Sequence, residues 1–335
     1  MIKSVIGIDV SMGSFHGCFK KRFDDGKNKI IATRSFVNTE KGFNELLTWT
    51  KKNNNEGIEV IFAMEATGVY YENLAHFLYS QKQLVSVVLA NKMKNYFKSL
   101  NIKTKTDKVD SKVIAMYGIE RSVEYWAPMS GCYKELRDLC RELLALKKDI
   151  NRAKNQLHAM QLSHDKHKRI MEIKSSQIEF YENAIHEIRA EIKTLIGKDD
   201  KLNEKLLKVV SIPGIGWETA VILISETNGF LMFKNIRQLV SYAGMDVSHN
   251  ESGNFKGNSR ISKKGNDKIR QVLYMPALSA TRANVSIKSL YQRVCEKNPD
   301  AKKKGIIAAM RKLLILVFTI WRKEQEYDRA YVWTR

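Results

Sequence analysis

The sequence predicts a mixed α/β fold in its first third, a long helical segment in the middle and a mainly helical last third. Residues 1–90 alternate short apolar runs with amphipathic stretches, as strands and helices do. From Leu136 onward apolar residues recur at spacings of three and four, and helical patterns return after residue 200. With 335 residues the chain has room for about two domains with cores of their own.

The first third is predicted to hold one central sheet with helices on its faces. Predicted strands, read from apolar runs, lie at residues 5–10, 16–20, 30–36, 58–64 and 84–89. Predicted helices lie at residues 40–52 and 71–81. Hairpin strands come first and strand–helix–strand units follow, which favours a sheet whose functional groups lie beyond the carboxyl ends of its strands.

The middle of the chain carries a heptad pattern. Its apolar positions are Leu136, Leu139, Leu143, Leu146, Ile150, Ala153, Leu157 and Met160. A second amphipathic helix is predicted at 178–196, so the two helices could form an antiparallel hairpin, pair between subunits, or serve as an ordinary helical spacer. We therefore divide the sequence into residues 1–125, a coiled-coil or helical linker at 126–200, and residues 201–335.

The chain is strongly basic. Its formal net charge is +21 and its sequence pI is about 9.7, an excess that favours a polyanionic partner, with nucleic acid the first expectation. Residues 234–335 hold 21 Lys and Arg against 8 Asp and Glu, so +13 of the net charge lies there. That third is expected to make most of the contacts with phosphates.

Four carboxylates are spaced as a metal-dependent phosphoryl-transfer site requires. Asp9 and Glu65 close two apolar runs, and Asp107 and Asp110 lie three residues apart at the start of a predicted helix. If they converge, their mutual repulsion requires a cation, and hard oxygen ligands select Mg²⁺, with Mn²⁺ as a substitute. Such ions activate the entering oxygen and stabilise the leaving oxygen of a phosphodiester. Each acid alone could instead be an ordinary surface residue.

A second candidate site is the Gly-, Ser- and Asn-rich segment 244–265, predicted to be a loop or short hairpin before a helix at 266–283. Ser252 precedes Gly253, which leaves its hydroxyl accessible as a nucleophile. Candidate phosphate contacts around it are Lys256, Arg260, Lys263, Lys264 and Arg270. A serine in a polar loop is otherwise a turn residue, and as a nucleophile it needs a base or a metal to activate it.

Helices are also predicted at 202–210 and 217–225, around the segment SIPGIG at 211–216. Gly214 and Gly216 permit tight turns, and free backbone N–H groups at the start of the second helix can hold a phosphate oxygen without reading sequence. The segment resembles a helix-hairpin-helix element. The alternative is a glycine-bearing turn between two core helices.

Cysteine usage and apolar patterning bear on the compartment. The four cysteines form no C-x-x-C pair and show no metal-ligand spacing with the histidines, which suits a reducing cytoplasm; they are Cys18, Cys132, Cys140 and Cys295. The chain begins with a strand-like run, so no secretory leader is expected. The most apolar stretch, 306–321, is interrupted by Arg311 and Lys312 and is short for a bilayer, so a buried helix is expected and no membrane partner.

Several motifs in one order, spread over nearly the whole chain, resemble the IS-one-ten (IS110) family of insertion-sequence transposases, with which the Piv DNA invertases group. The motifs are IDVS at 8–11, MEATG at 64–68, KTDKVD at 105–110, SIPGIG at 211–216, ESG at 251–253 and RISKKG at 260–265. The resemblance implies a RuvC-like N-terminal domain of RNase H fold and a C-terminal transposase domain with Ser252 as its catalytic serine. It also implies a D-E-D-D quartet that binds Mg²⁺, formed by Asp9, Glu65, Asp107 and Asp110.

The resemblance further implies a mechanism and partners. The serine links covalently to a DNA 5′ phosphate and frees a 3′ hydroxyl, while a structured non-coding RNA, the bridge RNA, pairs with donor and target DNA. Exchange between two DNA partners favours a homodimer that assembles into a tetramer. Such proteins are expected in the cytoplasm of bacteria or archaea, at the nucleoid.

The sequence therefore predicts a DNA transposase or recombinase that excises and inserts a mobile element, with three alternatives left open. A Piv-type site-specific invertase would use the same residues on a host DNA segment. A metal-dependent junction-resolving nuclease would use the acids to activate water, with Ser252 only a loop residue. A nucleic-acid-binding architectural protein would need neither set.

Overall fold

The computed structural model describes residues 3–54, 57–104, 106–248, 251–253, 255–257 and 259–329. The chain divides into two compact units, Met1–Pro128 and Met129–Arg335. The helical segment predicted at 126–200 lies almost wholly within the second unit.

The first unit alternates strands with helices, as the sequence predicts. Its strands are β1 (Lys3–Val10), β2 (Ser14–Arg22), β3 (Asn28–Val37), β4 (Val60–Ala66) and β5 (Leu84–Leu89). Its helices are α1 (Glu40–Asn53), α2 (Glu72–Ser80), α3 (Ala90–Ser99) and α4 (Asp107–Glu120). All five predicted strands and both predicted helices are confirmed, and α4 begins at Asp107, where the sequence predicts the start of a helix.

The five strands form one mixed sheet in the order β3-β2-β1-β4-β5. The pairs β1–β2 and β2–β3 are antiparallel, whereas β4 runs parallel to β1 and β5 runs parallel to β4. The carboxyl ends of β1, β4 and β5 therefore meet at one edge of the sheet, because neighbouring parallel strands point the same way.

Helices cover both faces of this sheet. Alternate residues of a strand point to opposite faces, so Ile6 and Ile8 of β1 pack in one core cluster together with residues of α1 and α2. Val5, by contrast, packs with residues of α3 and α4 in a second cluster. The result is three layers, with α1 and α2 on one side and α3 and α4 on the other.

The second unit is mainly helical. Its helices are α5 (Gly131–Leu162), α6 (Lys168–Gly197), α7 (Asp200–Val210), α8 (Trp217–Glu226), α9 (Ile236–Tyr242), α10 (Asp267–Ala283), α11 (Val285–Glu296) and α12 (Lys303–Lys323). Between α9 and α10 lie four two-residue strands, β6 (Val247–Ser248), β7 (Glu251–Ser252), β8 (Phe255–Lys256) and β9 (Arg260–Ile261). The predicted mainly helical last third, with a short hairpin before a helix near 266, is confirmed.

The long helices α5 and α6 pack along each other as a hairpin within the chain. Heptad residues of α5, among them Leu136, Leu143 and Ile150, are buried in one core cluster with Ile185 and Ile192 of α6 and with the shorter helices. The structure thus realises the hairpin alternative, while pairing between subunits stays a prediction.

The helix α12 is the centre of this second core, since it packs against α7, α9, α10 and α11. Its apolar residues include Leu313, Leu314 and Val317, which are fully buried. The expected buried helix at 306–321 is therefore confirmed. Within the described ranges, no helix is long and apolar enough to cross a membrane.

Candidate functional site

Four acids of the first unit lie at one end of its sheet. Asp9 is the penultimate residue of β1, and Glu65 is the penultimate residue of β4. Both come directly after the last registered pair of these parallel strands, Ile8 with Met64. Because side chains alternate along a strand, Asp9 shares a face with Gly7, and Glu65 shares that face with Ala63.

The helix α4 crosses this face in the direction opposite to β1. Near its carboxyl end, Lys3 at the start of β1 donates a hydrogen bond to the carbonyl of Arg121 at 2.8 Å. One turn earlier, a Cβ placed on Gly118 would lie 2.6 Å from a methyl group of Val5. Further back, a Cβ on Gly7 would lie 2.1 Å from the backbone nitrogen of Ala115 and 2.3 Å from the carbonyl oxygen of Ser111.

This order of contacts carries the first turn of α4 toward the carboxyl end of β1. Asp107 and Asp110 lie in that first turn, Asp107 exposed and Asp110 buried. Thr106 caps the helix, since its hydroxyl accepts a hydrogen bond from the backbone nitrogen of Val109. The absence of a side chain at Gly7 is therefore what lets the helix bring its acids to the same end and face of the sheet as Asp9 and Glu65.

The four carboxylates share this end of the sheet without forming a closed cluster. In the part of the chain that the structure describes, no three His, Cys, Asp or Glu side chains are close enough together to hold a metal ion. Carboxylates repel one another, so a cation is what would draw them together. Their oxygen donors are of the kind that Mg²⁺ and Mn²⁺ prefer, and in this respect the set fits such an ion.

The serine loop, residues 243–265 between α9 and α10, contains two small hairpins. β6 pairs with β9 at its base, and β7 pairs with β8 further out. Ser252 is exposed and registers with Phe255 across the outer hairpin. Gly253 follows it with a φ of +55°, a left-handed conformation that glycine adopts without steric cost. The loop thus presents the Ser252 hydroxyl to solvent.

The predicted basic contacts of the serine loop divide into two groups. Arg260, Lys263 and Lys264 are exposed, and the side chain of Lys256 lies outside the described residues. Arg270, at the start of α10, donates hydrogen bonds from one guanidinium nitrogen to the carbonyls of Ala243, Gly265 and Asn266. In this chain Arg270 therefore holds the base of the loop together.

The segment between α7 and α8 is a tight turn that joins these two helices. Gly214 has a φ of +104°, and a Cβ there would lie 2.6 Å from the side chain of Ala280 in α10. Gly214 is thus required for both the turn and the packing. Gly216 precedes the first residue of α8 and has open space around its Cα, so it is the glycine of the pair beside which a ligand has room.

An ion pair between a buried glutamate and a half-exposed arginine lies at the base of the serine loop, and it was not predicted from the sequence. The side chain of Glu226, at the end of α8, is 0% exposed, and Arg141 of α5 binds both of its oxygens at 2.6 and 2.9 Å. The hydrogen bond to Glu226 raises the pKa of Arg141, which keeps the guanidinium charged. The available signal was Glu226 itself, an acid at the end of a helix whose central residues, 220–224, are all apolar.

Three of the cysteines are poor candidates for an alternative nucleophile. Burial raises the pKa of Cys18 to about 11 and the pKa of Cys140 to about 12. Burial likewise raises the pKa of Cys132. Because the thiolate is the reactive form, these thiols are inert near neutral pH.

Two models of known protein families match this chain. A family model described as a transposase matches residues 6–164, which include all four acids. A second model, described as "Transposase IS116/IS110/IS902 family", matches residues 207–292, which include the glycine turn and the serine loop. Together the two models span most of the chain. The chain belongs to the IS110/IS116 family of transposases.

Among curated proteins, the pilin gene-inverting protein of Moraxella bovis is 28% identical over 98% of this chain and 99% of its own length. The transposase for insertion sequence element IS1111A of Coxiella burnetii is 30% identical, over 34% of this chain and 30% of its own length. Among solved structures, Thermus thermophilus RuvC matches over 38% of this chain and 100% of its own, with 11% identity and a TM-score of 0.29.

Proposed function

We propose that this chain is a DNA recombinase that excises and inserts a mobile element, with Ser252 as its nucleophile. The observation that supports the proposal is that Ser252 is exposed on a short hairpin of the same loop that carries the exposed side chains of Arg260, Lys263 and Lys264. Nearby cations bind a phosphate and stabilise the charge that develops on its oxygens during transfer. An accessible hydroxyl among phosphate-binding groups is the arrangement that covalent phosphoryl transfer needs.

The proposed chemistry is two successive transesterifications. First, Ser252 Oγ attacks a DNA phosphorus; a bond forms between Oγ and the 5′ phosphate, and the bond from phosphorus to the 3′ oxygen breaks. The 3′ oxygen takes up one proton as the serine hydroxyl loses one. Second, a 3′ hydroxyl of the partner DNA attacks the serine-linked phosphate, and Ser252 regains its proton. The number of phosphoester bonds is unchanged, so the exchange consumes no nucleotide cofactor.

For this reaction we propose that the acids of the first unit form an RNase H-like metal site. Asp9, Glu65, Asp107 and Asp110 would hold Mg²⁺, or Mn²⁺ in its place, and the bound ion would supply positive charge to the phosphoryl group. The support is their common position at one end and on one face of the sheet.

We propose that backbone and side-chain donors of this chain bind the DNA phosphates other than the scissile one. The start of α8 after Gly216 offers free N–H groups in the manner of a helix-hairpin-helix element.

Such contacts carry no sequence information, so target choice falls to another component. We assign it to a structured non-coding guide RNA, in keeping with the net charge of +21. Sequencing of copurified nucleic acid tests this: one discrete transcript supports guidance, and random fragments contradict it.

Exchange of strands between two DNA molecules calls for more than one copy of the chain. We assign a homodimer that assembles into a tetramer, with the exposed outer parts of α5 and α6 as the surfaces that pair. Phe180 and Leu162 are large apolar side chains exposed there, at 65% and 74%. Light scattering of the protein bound to DNA gives the mass, and a monomer at saturation contradicts this assembly.

Site-specific inversion of a chromosomal segment is the second candidate function. The observation that favours it is the similarity, along nearly the full length of both chains, to the pilin gene-inverting protein of Moraxella bovis. The chemistry is the same, and only the arrangement of the two recombination sites differs. A plasmid with sites in inverted orientation gives inversion products, and one with sites in direct orientation gives excised circles.

The test is recombination of a plasmid that carries this coding region with its native flanking DNA. Ser252→Ala removes the nucleophile, so recombination products and protein-linked DNA are both expected to fall by about 1,000-fold or more. Ser248→Ala is the matched control, because Ser248 is also exposed in the same loop, and it is expected to keep activity within about 3-fold.

Persistence of recombination and of protein-linked DNA in Ser252→Ala would overturn the proposal. Cleavage by the unaltered protein without any protein–DNA adduct would favour the junction-resolving nuclease instead, since activated water leaves no covalent intermediate.

A further inference from the structure

The ion pair between Arg141 and Glu226 is not well explained by a contribution to stability alone. Removing a carboxylate from water is costly even when a cation pairs with it, and the side chain of Arg141 itself stays 45% exposed. Glu226 nevertheless has a side chain that is 0% exposed. The contacts of this carboxylate therefore matter more than its contribution to stability.

Both ends of the serine loop are tied to Glu226. Asn266, which follows the loop, donates from Nδ2 to Oε2 of Glu226 at 2.7 Å. Tyr242, which precedes the loop, donates from its hydroxyl to the backbone carbonyl of Glu226 at 3.3 Å. The two loop ends are also joined directly, because the backbone nitrogen of Asn266 donates to the carbonyl of Tyr242 at 2.7 Å.

The backbones at the base of the loop touch each other. A Cβ on Gly265 would lie 2.2 Å from the carbonyl oxygen of Tyr242 and 2.6 Å from the nitrogen of Gly244. Further along, Ser262 binds Asp246 through both its backbone nitrogen, at 2.9 Å, and its hydroxyl, at 2.7 Å. The base from which the hairpin with Ser252 extends is therefore closely packed and hydrogen-bonded on both sides.

We infer that Arg141, Glu226 and Asn266 are positioning residues for Ser252: they hold the base of the serine loop against α5 and so set the direction in which the hydroxyl is presented to DNA. The inference rests on the proposed role of Ser252 as nucleophile. Arg141 suits the task because its fork binds both oxygens of the carboxylate and leaves one orientation for Glu226.

The experiment compares full-length variants for two quantities, the affinity for DNA and the rate of adduct formation at saturating DNA. Arg141→Ala is expected to slow adduct formation by about 10- to 100-fold, since misplacement by about 1 Å costs that much, while affinity changes by less than about 3-fold. Arg141→Lys, which keeps the charge but not the fork, is expected to recover part of the rate.

A second variant keeps the inference testable if Arg141→Ala fails to fold. Asn266 also caps α10, accepting hydrogen bonds from the backbone nitrogens of Lys268 and Ile269. Asn266→Ser retains a good capping oxygen but removes the amide that reaches Glu226. It is expected to fold and to slow adduct formation about 10-fold at saturating DNA.

The matched control is Lys134→Ala, which breaks an exposed ion pair with Asp138 within the same helix, α5. It is expected to leave the rate within about 2-fold. Rates within about 2-fold of the unaltered protein in folded Arg141→Ala, or in Asn266→Ser, would overturn the inference. If Ser252→Ala still forms the adduct, the proposed nucleophile fails; if it does not and the positioning variants are fast, only the positioning role fails.

Discussion

At the scale of single residues, the position of the acids depends on side chains that are absent. Gly7 lies in the middle of β1 and has no Cβ because the backbone of α4 occupies that space. Gly118 gives α4 the same freedom against Val5. Both glycines have ordinary backbone φ values, since neither is among the residues of positive φ. Both glycines are needed because α4 approaches β1 closely. This close approach places Asp107 and Asp110 at the end of the sheet.

Gly7→Ala is predicted to destabilise the first unit. The added methyl would lie 2.1 Å from the nitrogen of Ala115 and cannot be avoided by turning a flexible side chain. Overpacking of this kind typically costs about 1–3 kcal/mol, and a clash with backbone belongs at the upper end. Thermal or urea unfolding of the variant measures the loss in the free energy of unfolding.

Gly13→Ala is the control, because a Cβ there meets nothing within 4 Å. It is expected to change the free energy of unfolding by less than about 0.5 kcal/mol. Equal stability of Gly7→Ala and Gly13→Ala would show that α4 does not rest on β1 as described.

At the scale of elements, three helices of the second unit meet at Glu218 in the first turn of α8. Lys147 of α5 donates to one carboxylate oxygen, and Arg189 of α6 donates to the other at 3.0 and 3.2 Å. Partial burial acts to raise the pKa of Glu218, but Lys147 and Arg189 outweigh it and hold the pKa below its usual value. This contact fastens the long hairpin to the glutamate at the start of α8.

The lowered pKa of Glu218 predicts a pH-dependent contribution to stability. A carboxyl whose pKa is lower in the folded than in the unfolded state stabilises fully above the unfolded value, about 4.3. The contribution is lost as the pH falls through the lower, folded pKa. Glu218→Gln is therefore expected to be less stable than the unaltered protein at pH 7, with the difference narrowing below about pH 4 in unfolding measured from pH 3 to 7.

A constant difference in stability between Glu218→Gln and the unaltered protein over that range would contradict the assigned contacts. Glu182→Gln is a useful comparison, because Glu182 forms an exposed pair with Lys154 on the same helix hairpin. Exposed pairs contribute little, so its curve should follow that of the unaltered protein.

The sequence predicts the elements well where one local pattern determines them. β5 lies at Leu84–Leu89 and α4 begins at Asp107, as the apolar runs and the acidic first turn indicate. α3 was not predicted, although Met93, Tyr96, Phe97 and Leu100 carry a helical spacing, because the lysines among them obscure a short pattern.

The contacts that hold the serine loop were beyond the reach of local patterns. Arg141 and Glu226 are 85 residues apart, and Glu226 and Asn266 are 40 apart. No spacing rule joins residues at such distances, and each one taken alone fits an ordinary helix-end or capping role. The acids of the candidate site were predictable because each ends a strand or begins a helix. The residues that position the serine were not, because packing alone brings them together.

At the scale of the whole molecule, one chain contains two units that carry different functional groups. The first provides a sheet with four acids at one end, and the second provides an exposed serine on a basic loop. Neither set alone accounts for strand exchange, since acids without the serine support hydrolysis and a serine without activation is a weak nucleophile. We propose that both sets serve one covalent reaction on DNA.

The most direct measurement of that claim is to trap the protein–DNA adduct, digest both components and locate the attached nucleotide by mass spectrometry. We predict a 5′-phosphate-linked nucleotide on Ser252 that forms only with Mg²⁺ or Mn²⁺ present, disappears on chelation, and is lost in Asp9→Asn and Glu65→Gln. Glu124→Gln, a change at an exposed acid of the same unit, should leave it intact. A nucleotide attached to any other residue, or an adduct that forms equally well in Asp9→Asn without metal, would show that Ser252 and the four acids do not act in one covalent reaction.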